Sequence, residues 1–195
     1  MELIFATNNS HKIREINSLL EPGTKLAGLA DVNITEDIPE DGETLEENAL
    51  FKARFVHQRT GMNVFADDTG LEVEALQGAP GVHSARFAGE DKDSSANITK
   101  LLSLLEGKEN RKARFRTVIA LIYKGGEYLF DGIVKGRIIK ERKGTEGFGY
   151  DPVFEAEGYA QTFAEMPLAE KNKISHRARA FEGLRKFLSE NDDNK

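Results

Sequence analysis

Apolar positions near the start of the chain change from a continuous run to a helical spacing. Residues 2–6 form the run, which predicts a strand, and residues 7–10 predict a polar turn after it. A helix should follow, and Pro22-Gly23 should end it. The apolar positions that predict this helix are Ile13, Ile16, Leu19 and Leu20.

A second helix is predicted by a capping box. Thr44 stands three residues before Glu47, so the two side chains can satisfy amide groups that the first helical turn leaves without partners. Gly61 is the expected end of this helix. Asn48 and Lys52 are four residues apart and share a face that differs from the apolar one. The apolar face carries Leu45, Ala49, Ala53 and Val56.

The remaining elements predict an α/β protein with a mixed sheet. Helices and strands alternate early in the chain, and strands cluster in its middle. We expect one bilobed domain over residues 1–190 and a disordered tail at 191–195. The predicted elements are a strand at 63–66 that runs into Asp67-Asp68-Thr69-Gly70, a loop at 77–89, a helix from Ile98 to Leu105, a hairpin of strands 114–123 and 127–134, a further strand at 137–141, a glycine-rich turn at 144–152 and a final helix capped by Ser175.

Composition excludes several kinds of site and location. The chain has no cysteine, which excludes disulfides, zinc-thiolate sites, iron–sulfur clusters and a cysteine nucleophile and fits the reducing cytoplasm. The longest apolar stretch, 118–123, is far shorter than the roughly 20 residues of a membrane span. Glu2 stands where a signal peptide would be basic. We therefore expect a soluble cytoplasmic protein with no membrane partner.

Charge is unevenly distributed along the chain. The net charge of -6 argues against nucleic acid as a partner, but a small anionic ligand responds only to the local field. Residues 36–47 hold seven acids and no base, so the other 183 residues sum to +1. Residues 165–186 hold six Lys and Arg against three Glu. Two solvated faces are the plain explanation, and a ligand site is the alternative.

The turn at residues 7–10 is a candidate phosphate site. A turn that enters a helix presents free amide groups and the positive end of the helix dipole, and Lys12 adds a charge one turn later. Under the alternative interpretation the polar residues only cap the helix and Lys12 lies in solvent. The glycine pattern of a Walker loop is absent.

Asp67 and Asp68 are candidates for a base or a cation ligand. Neighbouring residues of a strand point to opposite faces, so the two carboxylates should have different roles. Carboxylates at strand ends commonly hold a hard cation, although a turn-forming pair is equally compatible with the sequence. Glu40 is a possible second carboxylate for Mg²⁺, and the neighbouring acids Asp41 and Glu43 remain alternatives.

A second candidate site combines the glycine-rich turn with the basic segment. The region around a predicted helix start carries four basic side chains, Lys171, Lys173, His176 and Arg177. Cations there oppose the helix dipole, so they favour an anionic partner. Phe148 lies between glycines, and its ring together with Asp151 would suit a flat heterocycle. The plain alternative is that Phe148 belongs to the core and that His176 caps a helix.

Four segments that occur in order resemble a known family. Together they are similar to the non-canonical purine nucleoside triphosphate pyrophosphatases, the Ham1-like family that acts on inosine and xanthosine triphosphate. The resemblance extends from about residue 4 to 188. The segments are TNNSHK at 7–12, ENALFKA at 47–53, ADDTGL at 66–71 with GAPGVHSAR at 78–86, and FGYDP at 148–152 with AEMP at 164–167 and EKNKISHR at 170–177.

The resemblance implies a fold, a reaction and a set of site residues. It implies an elongated central mixed β-sheet with flanking helices, two lobes around an active-site cleft, and a homodimer. The implied reaction is Mg²⁺-dependent hydrolysis of ITP, dITP or XTP to the monophosphate and pyrophosphate, which removes deaminated purines from the nucleotide pool. Asp68 takes the place of the catalytic base and metal ligand, with Glu40 as the second metal carboxylate. The residues in substrate-binding positions are Thr7, Asn8, Asn9, Ser10, His11, Lys12, Lys52, Thr69, Phe148, Gly149, Tyr150, Asp151, Lys171, His176 and Arg177.

Two positions depart from the family pattern. Asn8 stands where many members have glycine, and Thr69 stands where many have serine. Asparagine tolerates left-handed backbone and threonine keeps the hydroxyl, so we expect activity to be retained.

The rival hypotheses are a pyrophosphatase for modified pyrimidine nucleotides and a regulator that binds a purine nucleotide without cleaving it. The role of Asp67 stays open.

Overall fold

A computed structural model describes residues 3–20 and 26–191 of the chain. Within those residues it contains a seven-stranded sheet and five α-helices, which confirms the predicted α/β class. The elements are β1 (Leu3–Phe5), α1 (Ser10–Asn17), β2 (Leu26–Ala27), α2 (Leu45–Thr60), β3 (Val64–Val73), β4 (Pro80–Gly81), α3 (Ser94–Leu104), β5 (Lys112–Tyr123), β6 (Gly126–Ile138), β7 (Phe154–Ala156), α4 (Leu168–Ile174) and α5 (His176–Asn191).

The sheet is mixed. Its strand order is β2-β1-β3-β5-β6-β7, and β4 pairs with β3 outside this path. Strand β1 runs parallel to both β2 and β3, whereas β4 is antiparallel to β3 and β7 is antiparallel to β6. Parallel pairing at the start of the chain follows from its alternating strands and helices, because a parallel neighbour needs a crossover connection.

The described residues divide into two compact units. The first contains residues 3–20, 26–68, 117–132 and 177–191, and the second contains 69–116 and 133–176. Each unit buries its own hydrophobic core. The chain first passes from one unit to the next inside β3, between Asp68 and Thr69.

The core of the first unit joins β1, β3 and β5 to helices α1 and α5. The rings of Phe5 and Phe65, on paired strands, stack with centroids 4.4 Å apart. Ile16 of α1 and Phe181 of α5 are buried in the same cluster. Burial of large apolar side chains contributes about 1.5–3 kcal/mol each, so this core holds both helices against the strands.

The core of the second unit is built around three aromatic rings. Phe115 lies 4.6 Å from Phe154 and 6.1 Å from Phe163, measured between ring centroids. Leu101 of α3 is fully buried in the same cluster. Phe163 lies just before α4, so the core also anchors the segment that leads into this helix.

Helix α2 confirms the most detailed local prediction. Its bounds are set by Thr44, whose hydroxyl accepts the amide of Glu47 at 3.1 Å, and by Gly61, whose φ is 67°. The carboxylate of Glu47 accepts the amide of Glu43 at 2.7 Å, one residue before the position that a standard capping box uses. The predicted apolar face is buried.

Several predicted boundaries are wrong. Asp67 to Gly70 do not follow a strand; they lie inside β3, which continues to Val73. Of the expected strand at 137–141 only Arg137 and Ile138 are strand, as the end of β6, and α4 was not predicted. Asn191 is the last residue of α5 and therefore not part of a tail, while 192–195 and Pro22-Gly23 lie outside the described residues. Among the helices of the described chain, none has the length and apolar content that crossing a membrane requires.

Candidate active site

The two aspartates of β3 have different partners. Asp67 binds Lys12 and Arg177, and Asp68 binds Asn48 and Lys52. All of these residues belong to the first unit. The separation fits the alternation of side chains along a strand, which the sequence predicts for adjacent carboxylates.

The turn before α1 is a cap, and its lysine is not in solvent. Asn9 is the N-cap of α1, and its side-chain oxygen accepts the amides of His11 at 3.0 Å and Lys12 at 3.2 Å. The hydroxyl of Thr7 accepts the amide of Asn9 at 3.2 Å, while Asn8 and Ser10 are exposed. Lys12 Nζ lies 2.9 Å from Asp67 Oδ1 on β3, so the expectation of a solvated lysine is wrong, while the expected helix cap is present.

Asp67 connects two cations that the sequence assigns to substrate. Its Oδ1 lies 2.9 Å from Lys12 Nζ, and its Oδ2 accepts a hydrogen bond from Arg177 Nε at 3.0 Å. Arg177 Nη1 also donates to the carboxylate of Glu15, on α1. Burial alone would raise the pKa of Asp67, but Lys12, Arg177 and Lys52 hold it far below its usual range. Asp67 is therefore ionised and binds both cations tightly.

Asp68 and Glu40 share Lys52. Lys52 Nζ lies 2.5 Å from Glu40 Oε1 and 3.6 Å from Asp68 Oδ1. Burial lowers the pKa of Lys52, and the attraction of Asp68 and Glu40 outweighs this and raises it. Burial and the neighbouring Glu40 raise the pKa of Asp68, against the opposing effects of Lys52 and Lys12. An ammonium group thus lies between the two carboxylates proposed for a metal.

The donor set fits a hard divalent cation. Two carboxylates that already share a positive charge offer oxygen ligands of the kind Mg²⁺ prefers, with substrate oxygens and water to complete its shell. Asp41 and Glu43 are exposed, whereas Glu40 is partly buried against Lys52, which also contacts Asp68. Across residues 3–20 and 26–191, no group of three or more acidic or histidine side chains has a metal-binding arrangement.

We call these seven charged groups of the first unit the ion-pair cluster. Its positive members are Lys12, Lys52 and Arg177, and its negative members are Glu15, Glu40, Asp67 and Asp68. With every group ionised the cluster has one negative charge in excess.

The second unit contains a buried pair around Asp151. Asp151 Oδ2 lies 2.7 Å from Lys171 Nζ and accepts the amide of Phe148 at 2.9 Å. Lys171 Nζ also lies 5.4 Å from the ring centroids of Phe148 and Phe163. The ring of Phe148 stays partly exposed, so it is not an ordinary core residue. Lys171 was expected around the start of the final helix. It lies instead on a separate helix, α4.

Glycine is required in the turn that carries Phe148. Gly147 has a φ of 72°, in the left-handed region, and a Cβ atom there would overlap the carboxylate of Asp151. Gly149 has a φ of 60° and open space around it. Gly147 was noted from the sequence as a flank of Phe148 but was not included among the site residues.

Tyr150 and His176 are buried. Tyr150 donates its hydroxyl to the carbonyl of Ser84 at 2.8 Å, and burial raises its pKa. The ring of His176 stacks on Phe115 with centroids 4.5 Å apart. His176 is the first residue of α5, as predicted, but its ring lies among aromatic rings of the second unit.

Comparison with known families decides the relationship of this chain. The sequence model of the Ham1 family matches residues 3–187. The chain belongs to the Ham1 family. It is 54% identical over 189 residues to a dITP/XTP pyrophosphatase of Christiangramia forsetii, covering 97% of this chain and all of that protein. It is 56% identical over 188 residues to one of Porphyromonas gingivalis, covering 96% and 97%.

Solved Ham1 structures share the fold. The Ham1 protein of Staphylococcus aureus aligns with a TM-score of 0.88 at 38% identity, covering 97% of this chain and 99% of that one. The Ham1 protein of Coxiella burnetii aligns with a TM-score of 0.89 at 39% identity, with the same coverage. The predicted family and fold class are therefore confirmed over nearly the whole chain.

Sequence reasoning did not assign every residue of this Ham1 site. Asn48 and Ser84 lie in segments that carry the family resemblance, but neither was given a role, and Glu15 was not singled out. Their partners are distant in sequence: Asn48 is 20 residues from Asp68, and Glu15 is 162 residues from Arg177. The local signal for Asn48 was the helical face that it shares with Lys52 on α2.

Proposed function

We propose that this chain hydrolyses non-canonical purine nucleoside triphosphates, among them dITP and XTP, to the nucleoside monophosphate and pyrophosphate. The observation that carries the proposal is its 54% identity, over 189 residues, to a protein named dITP/XTP pyrophosphatase. The reaction is a hydrolysis of a phosphoanhydride bond. It suits a site of paired lysines and carboxylates without a cysteine nucleophile.

The charge of the ion-pair cluster supports a requirement for Mg²⁺. A nucleoside triphosphate carries about four negative charges at neutral pH, and the cluster contributes one negative charge in excess when fully ionised. Each of its three cations already has a carboxylate partner. Asp68 and Glu40 would hold Mg²⁺, which when bound polarises a phosphoryl oxygen and offsets the charge on the leaving pyrophosphate.

Asp68 is the proposed base. It would accept a proton from the water that attacks the α-phosphorus, because a carboxylate within reach of that water can act as a general base. Lys12, Lys52 and Arg177 would bind phosphate oxygens, together with the turn at residues 7–10. Little covalent chemistry is required of the protein, so positioning and charge should account for most of the rate.

The group formed by Asp151, Lys171 and Phe148 is the proposed site that recognises the purine ring of the nucleotide. The partly exposed ring of Phe148 would stack on the purine, with Gly149, Tyr150, His176 and Thr69 contributing to nucleotide binding. A 6-oxo purine presents an acceptor where adenine presents a donor. A donor of the site is left unpaired against adenine, which penalises ATP. Rejection of GTP must act through its 2-amino group.

A substrate panel tests the proposal. The purified chain is assayed with Mg²⁺ and XTP, dITP, ITP, GTP, ATP and dUTP, and pyrophosphate and orthophosphate are measured separately. We expect pyrophosphate from the first three and little product from the others, and no product with EDTA. Orthophosphate release or equal rates on all substrates would contradict the proposal, and a preference for dUTP would favour the pyrimidine hypothesis.

The regulator hypothesis needs a separate comparison. Asp68→Asn keeps the shape of the side chain and removes the base, so it should bind ITP and turn it over far more slowly than the unaltered chain. Equal turnover by both would instead favour a binding protein without catalysis. Titration of ITP by calorimetry and pyrophosphate release, measured on the same samples, separate the two outcomes.

We also propose a homodimer that acts in the cytoplasm. The family resemblance supports the dimer, and a sequence without cysteine fits a reducing compartment. Light scattering after size-exclusion chromatography should give twice the mass of 21.7 kDa. A single-chain mass across the working concentration range would refute the dimer.

A further inference from the structure

Asn48 is a buried polar residue whose side chain is bonded at both ends. It lies on α2 and is only 2% exposed. Its Nδ2 donates to Asp68 Oδ2 at 3.0 Å, and its Oδ1 accepts the amide of Gly42 at 2.8 Å. A buried amide side chain is costly unless both ends are paired, so this residue specifies one arrangement of its two partners.

The first bond sets the orientation of the Asp68 carboxylate. One oxygen of that group receives Asn48, and the other lies 3.6 Å from Lys52 Nζ. Asn48 and Lys52 are one turn apart on α2, so a single rigid helix supplies both contacts. The carboxylate is therefore held at each of its two oxygens from the same element.

The second bond holds the loop that carries Glu40. Gly42 packs so closely that a Cβ atom there would lie 2.7 Å from Asn48 Oδ1 and 2.9 Å from Glu47 Cβ. Glu40, two residues earlier, meets Lys52 at 2.5 Å. Asn48 thus links the loop of one carboxylate directly to the other carboxylate.

We propose that Asn48 is a positioning residue that sets the separation and orientation of Asp68 and Glu40, and thereby the affinity of this pair for a divalent cation. The inference rests on the proposed metal-dependent function. Its direct consequence, the affinity of the two carboxylates for a divalent cation, can be measured without nucleotide. Changes in groups that orient metal ligands typically cost about 10- to 100-fold in metal affinity or activity.

The chain offers a matched control in Asn97. Asn97 is the fourth residue of α3, as Asn48 is of α2, and it is 3% exposed. Its Nδ2 donates to the carbonyl of Ala85 at 2.9 Å, and its Oδ1 accepts the amide of Ala88 at 2.6 Å. Both asparagines tie a preceding loop to a helix, but only Asn48 contacts a carboxylate of the ion-pair cluster.

The experiment measures Mn²⁺ binding to the full chain without nucleotide, using the electron paramagnetic resonance signal of free Mn²⁺. Asn48→Ala should weaken binding by about tenfold or more. Asn97→Ala should bind Mn²⁺ like the unaltered chain, while both variants lose comparable stability in urea. If Asn48→Ala does not fold, Gly42→Ala takes its place, because its added Cβ meets Asn48 Oδ1 and Glu47 Cβ and so pushes the loop away from Asn48 while the residues of α2 stay the same.

Three results would overturn the inference. They are unchanged Mn²⁺ affinity in the folded variant, an equal loss in Asn97→Ala, and no Mn²⁺ binding by the unaltered chain at millimolar concentration. Failure of the proposed function is a different outcome: the unaltered chain would release no pyrophosphate from XTP, and Asn48→Ala would still weaken Mn²⁺ binding. With XTP, the variant should also need more Mg²⁺ for half-maximal rate, which the control should not.

Discussion

Replacement of Asp67 by asparagine tests the central ion pair of the first unit. Asp67 is 1% exposed and accepts Lys12 and Arg177 on its two different oxygens. Asp67→Asn keeps the volume of the side chain and one acceptor oxygen. The similar shape should preserve the fold. The substitution removes the negative charge, however, and turns an NH₂ group toward Lys12 or Arg177, so that contact becomes unfavourable.

The expected loss of unfolding free energy follows from the two cations that the substitution leaves without their carboxylate. The side chains of Lys12 and Arg177 are 13% and 1% exposed, so neither cation can regain full hydration without movement. Removal of one partner of a buried pair costs about 3–5 kcal/mol. Arg177 keeps Glu15 as a second partner, which places the loss near the lower limit, at about 3 kcal/mol. For a chain of this size that corresponds to a fall of about 6–12 °C in Tm.

The pH dependence has a definite sign. Burial tends to raise the pKa of Asp67, but Lys12 and then Arg177 and Lys52 lower it below its ordinary value. A carboxyl with a lowered folded-state pKa contributes its full stability above the unfolded value of about 3.9 and loses it as the pH falls. The difference between the unaltered chain and Asp67→Asn should therefore be complete at pH 7 and shrink below about pH 4.

Urea unfolding between pH 7 and pH 3 measures this difference. Glu127→Gln is the control, because Glu127 pairs with Arg54 at 2.7 Å in an exposed position and should contribute less than about 1 kcal/mol. The reasoning is refuted if Asp67→Asn costs no more than this control at pH 7. It is equally refuted if the cost grows as the pH falls.

Three further changes test separate parts of the site. Lys52→Met removes a preorganised cation and should lower kcat/KM for XTP by about 10²–10³, measured by pyrophosphate release; a change below threefold would contradict its role. Gly147→Ala forces a Cβ toward Asp151 at a φ of 72° and should raise KM for XTP, whereas Gly149→Ala, with open space, should do so less. Tyr150→Phe leaves a buried carbonyl without its donor and should cost about 1–3 kcal/mol of unfolding free energy in urea; an unchanged midpoint would refute this.

Local signals explain which elements were predictable. Helix α2 has a cap at Thr44 and a terminating Gly61, and both act through contacts within a few residues. Helix α4 has only seven residues, too few to establish a periodic pattern. The segment from Asp67 to Gly70 combines residues that favour turns, yet it lies inside β3, because tertiary pairing overrides local preference.

The parts of the candidate site that lie in short sequence motifs could be predicted. The contacts between residues that are distant in sequence could not. Asp68 and Glu40 were identified as carboxylates suited to a cation, and Lys52 joins them in the structure. The partners of Asp67 could not be predicted, because Lys12 and Arg177 are 55 and 110 residues away in sequence. Nothing in the local sequence distinguishes an aspartate that binds two buried lysine or arginine groups from one that faces solvent.

The basic segment at 165–186 shows why charge along a chain is an incomplete guide to a ligand. Its cations were expected to indicate an anionic partner, but most of them already have carboxylate partners within the protein. A substrate must therefore compete with those carboxylates for the cations, unless an added cation offsets the negative charge of the carboxylates. The metal dependence that we propose is consistent with this pairing. The pairs are Lys171 with Asp151, Lys173 with Glu170, Arg177 with Asp67 and Glu15, and Arg185 with Glu182.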